Sequence, residues 1–172
     1  RVLVGDALQV KLTERAPESI SVTADDNLQE LIITEVKDDV LTLTVKEHTH
    51  MLPSAPIVIE VPRAQVNWVN ASGAAKVESA AGLLCTGLAI DASGAASVTL
   101  DSLDGDEVWV RASGASQVNV RSLKSGKTHM KLSGASRVDF TTGSFGALDA
   151  DASGASVLSA KPVVAGDAAL DV

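Results

Sequence analysis

The tripeptide Ser-Gly-Ala occurs five times along the chain, beginning at Ser72, Ser93, Ser113, Ser133 and Ser153, with spacings of 21, 20, 20 and 20 residues. A fixed period of this length belongs to chains in which each unit buries its apolar side only by stacking on its neighbours, and it outranks any local propensity. Aligning the copies produces columns. Five residues after each Ser stand Val77, Val98, Val118, Val138 and Leu158; three before it stand Val69, Ile90, Val110, Met130 and Ala150. A further apolar column holds Leu83, Leu103, Leu123 and Val163, with Phe145 covering the fourth copy after a small shift. Between the columns apolar and polar residues alternate, as in Leu148-Asp149-Ala150-Asp151-Ala152. Alternation with period two puts one face of a strand inward and the other outward.

The leucine-rich pattern needs Leu-x-x-Leu-x-Leu followed by Asn or Cys, which these repeats lack, and the nonapeptide and hexapeptide patterns are also missing. What remains is an all-β fold, a parallel β-helix with coils of about 20 residues and two or three short strands per coil. Twenty residues at roughly 3.3 Å each give a perimeter of about 66 Å before turns shorten it, and coils stack about 4.8 Å apart. The general crossover preference makes the winding right-handed. Small and β-branched residues suit such stacking, and the chain has only four aromatics: Trp68, Trp109, Phe140 and Phe145. Each motif glycine is expected at a corner, where positive φ or close backbone approach is needed. The serine hydroxyls are expected to ladder along that corner, with the following alanines leaving room inside it.

Residues 1–62 lack Ser-Gly-Ala but keep the alternation, in Leu8-Val10-Leu12, Leu31-Ile33, Leu41-Leu43-Val45 and Ile57-Ile59-Val61. Turn chemistry separates these runs at Ala16-Pro17-Glu18, Asp25-Asp26-Asn27, Lys37-Asp38-Asp39 and Leu52-Pro53-Ser54-Ala55-Pro56. The expectation is an irregular set of early coils that caps the apolar end of the solenoid, followed by the five repeats of residues 63–172, all in a single domain spanning residues 1–172. Here the sequence also resembles a known family. The strand Ile57-Val58-Ile59-Glu60-Val61-Pro62, leading through Val69-Asn70-Ala71-Ser72-Gly73-Ala74 into Val77, is similar to the bacterial "putative auto-transporter adhesin head", or GIN, domain. Asp26-Asn27-Leu28 and Asp39-Val40-Leu41-Thr42-Leu43 match its N-terminal part. The resemblance implies a right-handed β-helix on an exported bacterial protein, periplasmic or at the cell surface, and supplies no catalytic residues.

The functional expectations follow from the outward columns. Gly126-Lys127-Thr128 has the look of a phosphate-binding tripeptide, but Arg121 stands where a phosphate loop needs glycine and a strand follows instead of a helix. It reads as a turn, alongside Gly105, Gly146 and Gly166. Net charge of −8, from 22 acidic against 14 basic residues, argues against nucleic acid or an anionic membrane surface as partner. No run is long and apolar enough to insert in a membrane. Cys85 has no second cysteine and reads as a small buried filler. His48 and His50 share a strand face without a third ligand, so no metal and no cofactor are expected. Asp91 facing Arg111, and Lys131 facing Asp151, read as cross-strand pairs.

The column four before each Ser runs Trp68, Ala89, Trp109, His129 and Asp149. Two tryptophans two coils apart, about 10 Å, on a flat outer face can stack on sugars or anchor a protein. Trp68, Trp109 and His129 are therefore the candidate binding residues, with a polysaccharide or an envelope protein as partner and no catalytic residue. A non-enzymatic adhesion-type module is the first expectation. A self-associating structural homo-oligomer is the second. A polysaccharide lyase or hydrolase using the acidic run Asp101, Asp104, Asp106 and Glu107 is the third, though that run reads as a solvated turn.

Overall fold

The alternation becomes strands that stack. A computed structural model describes residues 1–14, 20–46, 54–63, 66–160 and 163–171. Their strands are β1 (Val2–Val4), β2 (Gln9–Thr13), β3 (Ser21–Thr23), β4 (Ile32–Lys37), β5 (Val40–Val45), β6 (Val58–Pro62), β7 (Trp68–Ala71), β8 (Lys76–Ser79), β9 (Leu83–Ala92), β10 (Ser97–Ala112), β11 (Gln117–Leu132), β12 (Arg137–Ala152), β13 (Val157–Ala160) and β14 (Val163–Asp171), with one short helix, α1 (Asp26–Gln29). Together they make a β-solenoid of about five turns. The turns at Ala16-Pro17-Glu18 and Leu52-Pro53, and His48 and His50, lie outside the described residues.

Each regular coil has three straight runs. Residues 97–100, 102–105 and 107–112 pair in parallel with 117–120, 122–125 and 127–132, and these pair in the same way with the next coil. The breaks fall at two single residues and at the Ser-Gly-Ala turn. Inward positions carry the core: Val98, Leu100, Leu103, Val108, Val110 and Ala112 are all buried in one coil. Where the Leu83, Leu103, Leu123 column reaches Gly143, the missing volume is restored from two residues on. Buried Phe145 packs edge-to-face on Phe140, with ring centroids 5.9 Å apart.

The corner explains the motif. Gly114 has φ +70°, and a Cβ there would lie 2.8 Å from the carbonyl oxygen of Gly94. Only glycine satisfies both the backbone angle and the approach. The hydroxyl ladder is partial: Ser72 and Ser153 donate to Val4 O and Leu132 O, both at 3.3 Å. The motif alanines correct the sequence reading, because they point outward and are exposed. The left-handed glycine turns the next side chain out and the one after it in. The corner is therefore filled by Ala75, Ala96, Ser116 and Ser136, all buried. The Ser116 and Ser136 hydroxyls donate to Ala92 O and Ala112 O at 3.1 Å. Gly126-Lys127-Thr128, expected as a turn, lies within strand β11: Gly126 is a single-residue break in pairing, and Thr128 is buried with its hydroxyl bonded to that of Ser125. Gly126 stacks over Asp106 and Gly146 over Gly126, while Gly105 belongs to the neighbouring column.

The N-terminal end is more ordered than its sequence suggests. β1 pairs in parallel with both β5 and β7, and β2 with both β6 and β8. This register sets Gly5-Asp6-Ala7 on Ser72-Gly73-Ala74, so residues 2–13 form a regular layer with Asp6, at φ +59°, in the glycine column. Below it lies the layer of β5 and β6. Antiparallel β4 and β3 cover that last layer, and α1 between them buries Leu28. In this cap the Asp25 carboxylate accepts from the Ser54 N–H at 2.8 Å and hydroxyl at 2.7 Å. Those bonds, the backbone one foremost, hold it below the usual carboxylate range.

Two predictions follow from these contacts. Gly114→Ala should cost at least about 2 kcal/mol in urea unfolding, whereas Ala115→Ser, one residue on and exposed, should stay within about 0.5 kcal/mol of the parent. Because the Asp25 carboxyl is depressed in the fold, its stabilisation is present above the unfolded value near 3.9 and is lost as pH falls through the lower folded value. Ser54→Ala, which removes the hydroxyl bond and keeps the larger backbone one, should therefore make the acid limb of stability below about pH 4 shallower without abolishing it, measured as thermal midpoint against pH.

Candidate functional site

Stacking places the outward columns on one flat face made by β7, β9, β10, β11, β12 and β14. Trp68 pairs with Ala89, Ala89 with Trp109, Trp109 with His129, His129 with Asp149 and Asp149 with Ala169. Neighbours in a parallel ladder point the same way about 4.8 Å apart, which suits face-to-face ring contact. The Trp109 and His129 rings stack, with centroids 4.1 Å apart and planes 16° from parallel. Trp109 is 39% exposed, and the Arg111 guanidinium carbon lies 5.8 Å from its ring centroid. The structure thus brings Trp109 and His129 together into one ridge.

Trp68 stands apart from that ridge. It is half-buried, and its indole N–H donates to the Asp91 carboxylate at 2.6 Å. Asp91 also meets Arg111 at 3.4 Å, so Trp68, Asp91, Arg111, Trp109 and His129 form a continuous line of contacts across three coil steps. The ridge continues through His129, whose Nδ1 lies 3.4 Å from Asp149 and whose Nε2 lies 3.5 Å from Glu107. Two shallow grooves flank it. One, of about 360 Å3, runs between the ridge and the column of Arg111, Lys131 and Asp151. The other, of about 330 Å3, lies towards Lys127, Ala147 and Asp167.

Charge around the face follows the coils. Residues 117–132 carry Arg121, Lys124, Lys127, His129 and Lys131 and no acidic residue. Below, Arg121 pairs with Asp101, and Lys124 with Asp104 at 3.3 Å; above, Lys131 meets Asp151 at 3.6 Å. The expected pairs Asp91–Arg111 and Lys131–Asp151 are formed. As exposed pairs they are worth roughly 0.2–1 kcal/mol each, and their main effect is to fix register. The sequence reading missed the belt as a whole, although counting charges per repeat reveals it. Among the acidic run, Asp101 and Asp104 thus pair with Arg121 and Lys124 one coil up, and Glu107 is the register partner of Lys127.

Elsewhere, burial pushes the Cys85 thiol up, and the charge of Asp104 adds to that, so the thiol is held neutral. Among the described residues no group of three or more His, Cys, Asp or Glu is gathered as a metal site, and no helix is long and apolar enough to cross a membrane.

The family model "Putative auto-transporter adhesin, head GIN domain" matches residues 1–172, and the chain belongs to that family. Three solved structures described as putative adhesins share the fold. One from Parabacteroides distasonis ATCC 8503 is 18% identical, with 97% of this chain and 71% of that chain covered and a TM-score of 0.87. One from Bacteroides fragilis NCTC 9343 is 17% identical over 98% of this chain and 91% of that one, with a TM-score of 0.64. One from Parabacteroides merdae ATCC 43184 is 15% identical, with the same coverages of 98% and 91% and a TM-score of 0.53. At such identities the likeness is one of fold. No curated protein matches the chain.

The Trp68–Asp91 contact makes a prediction of its own. Asp91→Ala should shift tryptophan emission to longer wavelength as the Trp68 indole loses its acceptor, at a stability cost of about 1 kcal/mol, while Asp91→Asn, which keeps an acceptor oxygen, should retain most of both.

Proposed function

We propose that this member of the GIN domain family is a non-enzymatic, exported adhesion-type module that holds an uncharged polysaccharide across the strands of its flat face, against the Trp109–His129 ridge. The observation that carries the reading is the exposed Trp109 ring, stacked on His129 and lining an open groove, with a second groove on the far side of His129. An indole on a rigid strand face offers a large apolar surface at low entropic cost, suited to the C–H face of a sugar ring. The groove beside Trp109 supplies hydroxyl partners of both kinds, donors from Arg111 and Lys131 and acceptors from Asp149 and Asp151.

Charge argues for an uncharged ligand. Arg111 and Lys131 each stand beside a carboxylate, and the chain carries −8 overall, so a polyanion would meet a repulsive field at long range. Trp68 has a different part: bonded to Asp91, it steadies the carboxylate that meets Arg111, which lies over Trp109. Export is consistent with the adhesin-type family and rests on it.

The test is a titration of intrinsic tryptophan fluorescence with uncharged polysaccharides. Trp109→Ala should weaken saturable binding at least about tenfold, as expected for an aromatic anchor. Trp68→Ala should weaken it less, and Lys11→Ala, exposed on a different strand run, should leave it unchanged. Binding that survives intact in Trp109→Ala would refute the assignment.

A further inference from the structure

The layer formed by residues 2–13 is flanked on both sides by chain that comes later in the sequence. β1 lies between β5 and β7, and β2 between β6 and β8. The layer below ends at Pro62 and the layer above begins at Trp68, so both walls belong to one continuous stretch that does not need residues 2–13 to connect them. Without that segment the walls would stand two strand spacings apart, about 9.6 Å, with their backbone edges facing an apolar slot. The segment fills the slot with Val2, Val4, Leu8, Val10 and Leu12, none more than 2% exposed.

Both walls read the segment closely. Gly5 N–H donates to Leu43 O at 2.9 Å and Gln9 N–H to Ile57 O at 3.0 Å; from the other side Ser72 N–H donates to Val4 O at 2.9 Å and Lys76 N–H to Leu8 O at 2.8 Å. The Asp6 carboxylate accepts from the Thr44 hydroxyl at 2.8 Å and the Val45 N–H at 2.9 Å. A partner for this slot must therefore carry this alternation, and an acidic residue at this corner.

We infer that residues 1–13 are a donor segment, and that the slot accepts the same segment from a second copy of this chain. Two facing, unpaired strand edges are a template for strand addition. An identical segment makes in trans every contact it makes in cis, so exchange asks for no new packing in the slot and costs chiefly the entropy of association. Folding order favours it. The segment is synthesised before its walls, which pair with it only across sequence separations of 39 and 67 residues, for Val2 with Leu41 and with Val69. The slot can complete only late, and until then a neighbouring copy's segment competes in proportion to its concentration. Once seated, the segment is buried on both edges and exchange is slow.

The test uses the full chain with Cys85→Ser, which removes the single native thiol. Leu3 and Asn70 are register partners, and neither is fully buried. Protein carrying Leu3→Cys is refolded together with protein carrying Asn70→Cys, at low and at high concentration, then oxidised, and the heterodimer is counted by mass. The expected result is a disulfide-linked heterodimer that rises with concentration. It should exceed several-fold a control in which the exposed Val36→Cys replaces Asn70→Cys. A heterodimer no more abundant than the control at every concentration overturns the inference. Gln9→Cys with Lys76→Cys, also register partners, gives a second reading by the same criterion should circular dichroism show the first pair misfolded.

Discussion

Each Ser-Gly-Ala corner is pinned at its glycine by a hydrogen bond from the alanine N–H to the carbonyl of the residue in the glycine column one coil below, flanked by further inter-coil backbone bonds. The distances are 2.8 Å for Ala74 to Asp6 and for Ala95 to Gly73, 2.7 Å for Ala115 to Gly94, and 2.8 Å for Ala135 to Gly114 and Ala155 to Gly134. At Gly94, Gly114, Gly134 and Gly154 a side chain would run into that same oxygen. At those glycines the corner therefore tolerates neither a shifted register nor a side chain. With the corners pinned, a coil of constant length must set each outward residue above its counterpart, and the flat faces are a consequence.

The candidate site is built from that repetition and needs no loop to assemble it. Trp109 and His129 stack because a single coil spacing is close to the thickness of an aromatic contact. Trp68, two coils from Trp109, is drawn instead towards Asp91. The basic belt of residues 117–132 plays the same part in charge that the glycines play in sterics, since a slip of one coil would set its cations against different partners. The face is rigid, nearly flat and mixed in charge, which suits lining up against an extended polymer better than enclosing a small molecule.

Much of this was legible in the sequence because repetition turns a linear pattern into a lattice. The glycine corners, the inward valines, the Asp91–Arg111 and Lys131–Asp151 neighbours and the Phe145 shift all follow from aligning copies. What failed did so for physical reasons. The direction of the motif alanines depends on the left-handed glycine before them, which inverts the simple alternation and sends Ser116 and Ser136 inward in their place. The first layer escaped notice because Asp6 holds the position where later copies have glycine, accepting positive φ while its carboxylate bonds Thr44 and Val45. Its place between two later layers is beyond any linear scan, since nothing in residues 2–13 records what lies on either side. The unequal environments of Trp68 and Trp109 were hidden too, because they depend on a diagonal contact outside the column.

The most direct measurement is a proton–nitrogen correlation spectrum of the two indole N–H groups, followed through titration with an uncharged polysaccharide. The account predicts that the Trp68 signal, held by Asp91, exchanges slowly with water and moves little. The Trp109 signal should exchange faster and shift saturably together with the His129 ring protons. Movement of Trp68 while Trp109 stays fixed would contradict the account, and so would two indole signals exchanging alike with no response to any uncharged polysaccharide.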